Sequence, residues 1–230
     1  MNADMGHDAT VFVGTHLRRV FGPVTAVRDV SCLVTAADRI AVTGASGSGK
    51  STLLQLIAGI DDPSGGHAAW PAIDGHPRRR PGRIGIVFQS PALLPTLDVH
   101  ENVALPVLLA GQTADTARQA ASEALRLLHL DNLADRLPHQ LSGGQAQRVA
   151  VARAVATNPD LVVADEPTAA LDTATAAHLL DILLSTVDRL GAALVLATHD
   201  NVTAGRLHTR WPMADGVIST RTLADTDPPC

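Results

Sequence analysis

Residues 39 to 60 hold the feature that most constrains this chain. A short apolar run, Arg39-Ile-Ala-Val-Thr43, leads into Gly44-Ala45-Ser46-Gly47-Ser48-Gly49-Lys50-Ser51-Thr52. Apolar residues then recur at Leu53, Leu54, Ile57 and Ala58, which is helical spacing and predicts a helix from Lys50 to Ile60. The order is strand, glycine loop, helix. Gly44 to Ser51 fits the pattern G-x-x-x-x-G-K-[ST]. Glycines let the backbone curl until successive N–H groups face one anion, and the helix N-terminus adds its positive end. In such a loop Lys50 reaches the β- and γ-phosphates of a nucleotide and the Ser51 hydroxyl ligates Mg²⁺.

The bland alternative is a glycine-rich turn with a chance lysine. Composition speaks against it. The basic residues are 17 Arg and one Lys, and that lysine is Lys50. Genome base composition accounts for the arginines. Lys50 stands where a compact ammonium on a flexible stem fits a tight cradle better than a guanidinium.

The rest of the composition excludes several classes. With 46% hydrophobic and 18% charged residues over 230 positions, the chain has enough apolar matter for one sizeable core. A net charge of −5 argues against non-specific nucleic-acid binding. No apolar run approaches the ~18–20 residues that a membrane-spanning helix needs. Met1 to Thr10 carries acids and no apolar core, so it is not a secretory signal. Two cysteines, Cys32 and Cys230, argue against a disulfide framework and fit a reducing cytoplasm.

Further strand ends carry chemistry. Leu161-Val-Val-Ala164 reads as a buried strand ending in Asp165-Glu166, with acids suited to holding Mg²⁺ (Asp165) and activating water (Glu166). Ala193 to Ala197 is another buried strand, followed by Thr198-His199-Asp200. Ligands of open α/β sheets bind beyond the carboxyl ends of the strands, so Gly44, Asp165 and His199 are expected to meet. His199 could then touch a γ-phosphate and water. Gln89 follows the strand Ile84 to Phe88, and a neutral amide there can touch metal or water. Leu141-Ser142-Gly143-Gly144-Gln145 opens a helix and offers a second phosphate-binding nest. One chain has no evident use for two, which implies a nucleotide shared with a second copy. Arg78-Arg79-Arg80 reads as a solvated loop.

Organisation follows from the same pass. Val11–Val20 and Val27–Val34 are expected strands broken by Phe21-Gly22-Pro23. Asp61–Gly66 reads as a turn cluster, and Ala69–Arg83 as one weak strand and a loop. Ala117, Ala121, Ala124 and Leu128 mark a helix, as do Gly143–Thr157 and Thr173–Leu190. Val217–Thr220 closes the sheet. The alternation predicts an α/β fold with a parallel sheet covered on both faces. The domain reading is a single unit over residues 1–230, with 11–88 and 158–220 as the α/β core, 89–157 as an inserted helical lobe, and flexible ends at 1–10 and 221–230.

Taken together, these motifs resemble the ATP-binding subunit of an ABC transporter, over about Val11 to Ser219. Their order is the family's: Walker A at Gly44–Ser51, Q-loop at Gln89, signature at Leu141–Gln145, Walker B at Leu161–Asp165, catalytic Glu166, D-loop at Ala170-Leu171-Asp172 and switch His199. The resemblance implies the ABC ATPase fold: a P-loop NTPase core with a mainly parallel sheet, an antiparallel β part and an inserted helical lobe. It implies ATP and Mg²⁺ as cofactors, with Ser51, Gln89 and Asp165 at the metal. Phe21 would be the aromatic that stacks on adenine. Two copies would sandwich ATP as a homodimer, bound to an integral membrane permease at the inner face of the cell membrane, with no nucleic acid.

The stretch Val87-Phe-Gln-Ser-Pro through Glu101-Asn102 to Gly111 is similar to the lipoprotein-releasing and macrolide-exporter branch. Departures are the ring of Phe21, which lacks a polar tip, Ala169-Ala170 in the D-loop, and a short Arg/Pro-rich segment before Ile84. A division-linked ABC protein that transmits force, or a regulator of translation or DNA repair, are the alternatives. Pro91 to Gly111 is apolar enough to predict a surface patch that receives a permease helix.

Overall fold

The computed structural model describes residues 9–219. Of the loose ends expected at 1–10 and 221–230, residues 1–8 and 221–230 lie outside the described residues. Thr10, placed by sequence in the loose end, instead opens the first strand.

Strands β1 (Thr10–Phe21) and β2 (Val24–Thr35) form an antiparallel hairpin closed by Gly22-Pro23, with Phe21 opposite Val24. β3 (Arg39–Thr43) follows, then helix α1 (Lys50–Ile57), which ends on Ala58 rather than running to Ile60. β4 (Gly65–Ala69) adds to the other edge of β1, giving a three-stranded sheet in the order β2-β1-β4. The weak strand expected after Ala69 is therefore β4, lying earlier and overlapping the expected turn cluster; single turns of 3₁₀ helix at Pro71–Ile73 and Pro77–Arg79 occupy its predicted place.

β5 (Ile84–Val87) leads to three helices, α2 (Val99–Leu109), α3 (Ala114–Leu127) and α4 (Gly143–Val155). The apolar stripe Ala117, Ala121, Ala124 and Leu128 is buried, as the spacing predicts. β6 (Leu161–Asp165), α5 (Thr173–Leu190) and β7 (Ala193–Thr198) follow. A short α6 (Asn201–Ala204) and strands β8 (Thr209–Ala214) and β9 (Val217–Ile218) complete the described residues. The second sheet runs β5-β6-β7-β3-β8-β9, and every pairing but β8–β9 is parallel.

The central strands are buried on both faces, and the period of two splits them between two cores. Ile40, Val42, Leu161, Val163, Val195 and Ala197 pack with α1 and the antiparallel sheet. Ala41, Val162, Ala164, Leu194 and Leu196 pack with α2, α3, α4 and α5. This layering fixes β3, β6 and β7 side by side. In register, Thr43 lies opposite Thr198, and Asp165 opposite Ala197. The three carboxyl ends therefore open onto one place.

Candidate active site

Gly44 to Gly49 curls between β3 and α1, and Lys50 starts the helix. Gly49 caps it with φ +103, a backbone state that favours glycine. A side chain at Gly49 would also collide with the Ala26 carbonyl oxygen of β2. The turn between β8 and β9 braces the loop from behind. Gly216 N donates to Ser48 O at 3.0 Å, and Arg28 N of β2 donates to Gly216 O at 2.9 Å.

Lys50 is only 6% exposed. Its Nζ donates to Gly44 O at 2.8 Å and Ala45 O at 3.0 Å, and lies 3.8 Å from Glu166 Oε1. The ammonium is thus held inside the loop by carbonyls and faces the end of β6. Glu166 sits at φ +47, an uncommon state for a side-chain-bearing residue. Its N–H donates to Ala197 O of β7 at 3.0 Å, which fixes the turn. Its Oε2 lies 2.8 Å from His199 Nδ1. The catalytic candidates Glu166 and His199 are thereby in direct contact.

Asp165 is the other acid of the pair. Burial pushes its carboxyl above the usual carboxylate range, and Glu166 adds to this; the Ser51 side chain and Lys50 pull it down. Its Oδ1 is buried without a hydrogen-bond partner. A buried carboxylate oxygen with no donor costs free energy unless a cation or water meets it. The donor set, a hydroxyl and a carboxylate, is of the oxygen kind that Mg²⁺ takes, and Mg²⁺ normally completes its shell with phosphate oxygens and water. Among the described residues no group of three or more His, Cys, Asp or Glu could hold a metal alone.

A cavity of about 710 Å³ joins these pieces. Gly47, Lys50, Ser51, Thr52, Gln89, Glu166 and His199 line it, so Gln89 is brought to the same place as the glycine loop and the acids. It continues over Val24, Thr25, Ala26 and Arg28 on β2 and reaches Asp215 and Gly216. The sequence reading missed these residues; only the fold shows that β2 and the last turn border the loop. Phe21 does not line the cavity itself. It stands at the margin, opposite Val24, with its ring 44% exposed.

The second nest lies apart from this cavity. Ser142 caps α4, with Gln145 N donating to Ser142 Oγ at 3.2 Å and Ser142 N donating to Gln145 Oε1 at 2.9 Å. Gly144 packs against α5: a β-carbon there would lie 2.5 Å from the Thr175 methyl. Thr175 is in turn held by Asp172, the cap of α5, to which its hydroxyl donates at 2.6 Å. That contact ties the signature glycines to the D-loop. The Arg78-Arg79-Arg80 loop is exposed, and Arg78 and Arg80 pair with Asp62 and Asp74.

The apolar stretch from Pro91 to Gly111 divides. Val99, Val103 and Val107 are buried among the helices, whereas Leu94, Leu108 and Leu109 are exposed. No helix of the described residues is long and apolar enough to cross a membrane.

Comparison with known proteins decides the family. A profile of ABC transporters matches residues 27–169. The chain belongs to the ABC transporter ATP-binding family. This member is 40% identical over 205 residues to the lipoprotein-releasing system ATP-binding protein LolD of Legionella pneumophila strain Paris, covering 86% of this chain and 90% of that one. It is equally 40% identical over 205 residues to YbbA of Escherichia coli K12, an uncharacterized ABC transporter ATP-binding protein, over 83% and 89% of the two chains. Among solved structures it superposes on the dimeric bacterial ABC transporter cassette MJ0796 with a TM-score of 0.81 at 31% identity, covering 91% and 97%. MJ0796 is also known as a post-hydrolysis dimer bound to ADP and Pi. The cassette cbiO1 of Clostridium perfringens, part of the transporter complex cbiONQ, matches with a TM-score of 0.82 at 28% identity, covering 93% and 88%. The ABC protein described here is an ATPase, with the expected mixed sheet, antiparallel β part and helices.

Proposed function

We propose that two copies of this ABC ATPase close on ATP and drive a separate integral membrane permease of the lipoprotein-releasing or exporter kind. The observation that carries the reading is the convergence of Lys50, Ser51, Gln89, Glu166 and His199 on one cavity. In this reading the chain is one ATP-binding unit, with residues 11–88 and 158–220 as its core and 89–157 as the lobe that carries the second nest.

The geometry supports the following roles. The N–H groups of Gly44 to Thr52 and the Lys50 ammonium bind the phosphates. Lys50 need only exchange the carbonyls of Gly44 and Ala45 for β- and γ-oxygens. Ser51, Asp165 and Gln89 would hold Mg²⁺, whose charge would offset the phosphates. Glu166 takes a proton from the attacking water, and His199, 2.8 Å away, orients that carboxylate. Ser142, Gly143, Gly144 and Gln145 do not line this cavity and would serve the nucleotide of the second copy. Phe21, at the cavity margin, stacks on the base.

The similarity to LolD supports the branch, and cbiO1 supports a complex with other subunits. The protein is then peripheral at the cytoplasmic face of the membrane. Sedimentation of the Glu166→Gln variant tests the shared site. Mg-ATP should produce a dimer that reverts to monomer when nucleotide is removed. A monomer at every concentration, with the wild-type chain retaining full ATPase, would exclude it.

A further inference from the structure

The exposed ring of Phe21 is not free. The guanidinium carbon of Arg19 lies 4.5 Å from its centroid, within the range of a cation–π contact. Arg19 is itself anchored. Its Nε donates to Asp61 Oδ2 at 2.6 Å, and both side chains are more than three-quarters buried, at 24% and 22% exposed. Ser64 Oγ lies 3.4 Å from Arg19 Nη1 and accepts the Val20 N–H at 3.1 Å. Asp61 is fixed too: its N–H donates to Gln55 O of α1 at 3.3 Å, and its Oδ1 accepts the Asp62 N–H at 2.9 Å. A chain of contacts therefore runs from the far end of the Lys50 helix through Asp61 and Arg19 to the Phe21 ring.

The ring has two faces, and the guanidinium covers one. Neither Arg19, Asp61 nor Ser64 lines the nucleotide cavity, whereas Val24, opposite Phe21 in the hairpin, does. With Phe21 44% exposed, the face that the cation does not cover is the one a base would use. We propose that Arg19 is a positioning residue for the base, with Asp61 as its anchor. This rests on the reading of Phe21 as the stacking residue. A phenyl ring without a hydroxyl makes no polar contact that would orient it, so its angle depends on this backing. The ligand class that gains is a nucleoside triphosphate with a purine base, whose larger π-surface uses a fixed platform most.

The experiment compares Arg19→Met, Asp61→Asn and Phe21→Ala with the wild type. ATP turnover is measured alongside binding of inorganic tripolyphosphate, a probe with no base. Arg19→Met removes the cation and keeps an apolar stem. It should raise KM for ATP about three- to tenfold, the scale of a cation–π contact, with the change on KM rather than kcat. Tripolyphosphate affinity should stay within about twofold of wild type, and Asp61→Asn should shift KM in the same direction. An equal loss for ATP and tripolyphosphate would reveal a merely structural role and overturn the proposal, as would tighter ATP binding. If Phe21→Ala raises KM and Arg19→Met does not, the backing by Arg19 fails alone. If Phe21→Ala leaves KM unchanged, the stacking reading itself fails.

Discussion

Gln147 and Phe88 are 59 residues apart in sequence, yet the Gln147 side-chain amide donates to the Phe88 carbonyl at 3.0 Å. Gln147 is 2% exposed, on the helix that begins at the signature Ser142. Two turns further along, Arg153 donates to Ala92 O at 2.7 Å and Pro91 O at 2.8 Å. One helix thus holds both ends of the segment that carries Gln89. These bonds tie the segment around Gln89 to the helix that Ser142 caps.

Gln147→Leu keeps the volume and leaves the Phe88 carbonyl without its partner. An unsatisfied buried acceptor costs about 1–3 kcal/mol. Calorimetry should show a melting temperature lower by roughly 3–10 °C. ATPase should fall while nucleotide affinity stays near wild type, because no atom of Gln147 lines the cavity. A normal ATPase rate in a folded Gln147→Leu protein would show that the link carries no motion.

Glu166→Gln should retain ATP binding and slow hydrolysis by at least ~10²-fold, the scale of a lost general base. Lys50→Ala should instead weaken binding, since the ammonium is the buried cation of the loop. Equilibrium binding and single-turnover hydrolysis separate the two. Wild-type turnover by Glu166→Gln would put the base elsewhere.

The parts of this site that were legible in the sequence are those where one residue type can do one job. The glycine loop, the acids at the end of β6 and the histidine after β7 read directly, because a parallel sheet leaves its functional residues at strand ends. The strands that escaped were decided by pairing. β4 is Gly65-Gly66-His67-Ala68-Ala69, with no branched or aromatic residue to suggest a strand. It exists because β1 offers it an open edge. β8 contains Pro212, which argues against an interior strand, yet it lies between β3 and β9. The Gly144–Thr175 and Gln147–Phe88 contacts had no signal either, since each joins distant segments.

GTP should be used within about tenfold of ATP. Phe21 offers a ring face and no hydroxyl, and one missing hydrogen bond is worth roughly 1 kcal/mol. Steady-state kinetics with both nucleotides checks this. A much larger preference for ATP would require a polar contact to adenine from another residue of the margin, with Thr25 and Arg28 the candidates that line it.

Cys32 gives a pH signature. Burial pushes its thiol from 9.0 up to about 12. A folded-state pKa above the unfolded one means that the native protein holds its proton longer. Stability from this group is complete below pH 9.0 and is lost as pH rises towards 12. In a Cys230→Ser background, Ellman's reagent at pH 8 should find almost no reactive thiol until denaturant is added. Rapid native labelling would mean that Cys32 is open to solvent.

The proposed permease would meet this subunit on the apolar surface around α2. The apolar stretch around α2 is not one patch. Phe88 and Leu94, 42% and 43% exposed, flank Gln89 before the helix, while Leu108 and Leu109 are exposed at its other end. The 11 residues of α2 separate the two groups by roughly 15 Å. Only the first group can pass a push directly to Gln89. Its backbone is also the better braced: buried Asn102 accepts from Leu94 N at 2.8 Å and donates to Leu94 O at 3.1 Å and Leu97 O at 2.9 Å. The Leu94 side chain is therefore presented on a fixed support. A charge reversal at Glu101 would be a poor probe of this surface. Glu101 Oε2 accepts the Asp98 N–H at 3.0 Å and closes the capping box of α2, so its loss frays the helix start. Leu94→Asp should leave the ATPase of the isolated subunit intact and abolish stimulation by the membrane partner. Leu109→Asp should leave both intact. ATPase assays with and without permease in detergent or lipid measure the difference. Normal stimulation of Leu94→Asp together with loss in Leu109→Asp would move the contact to the far end of α2 and cut its direct route to the γ-phosphate.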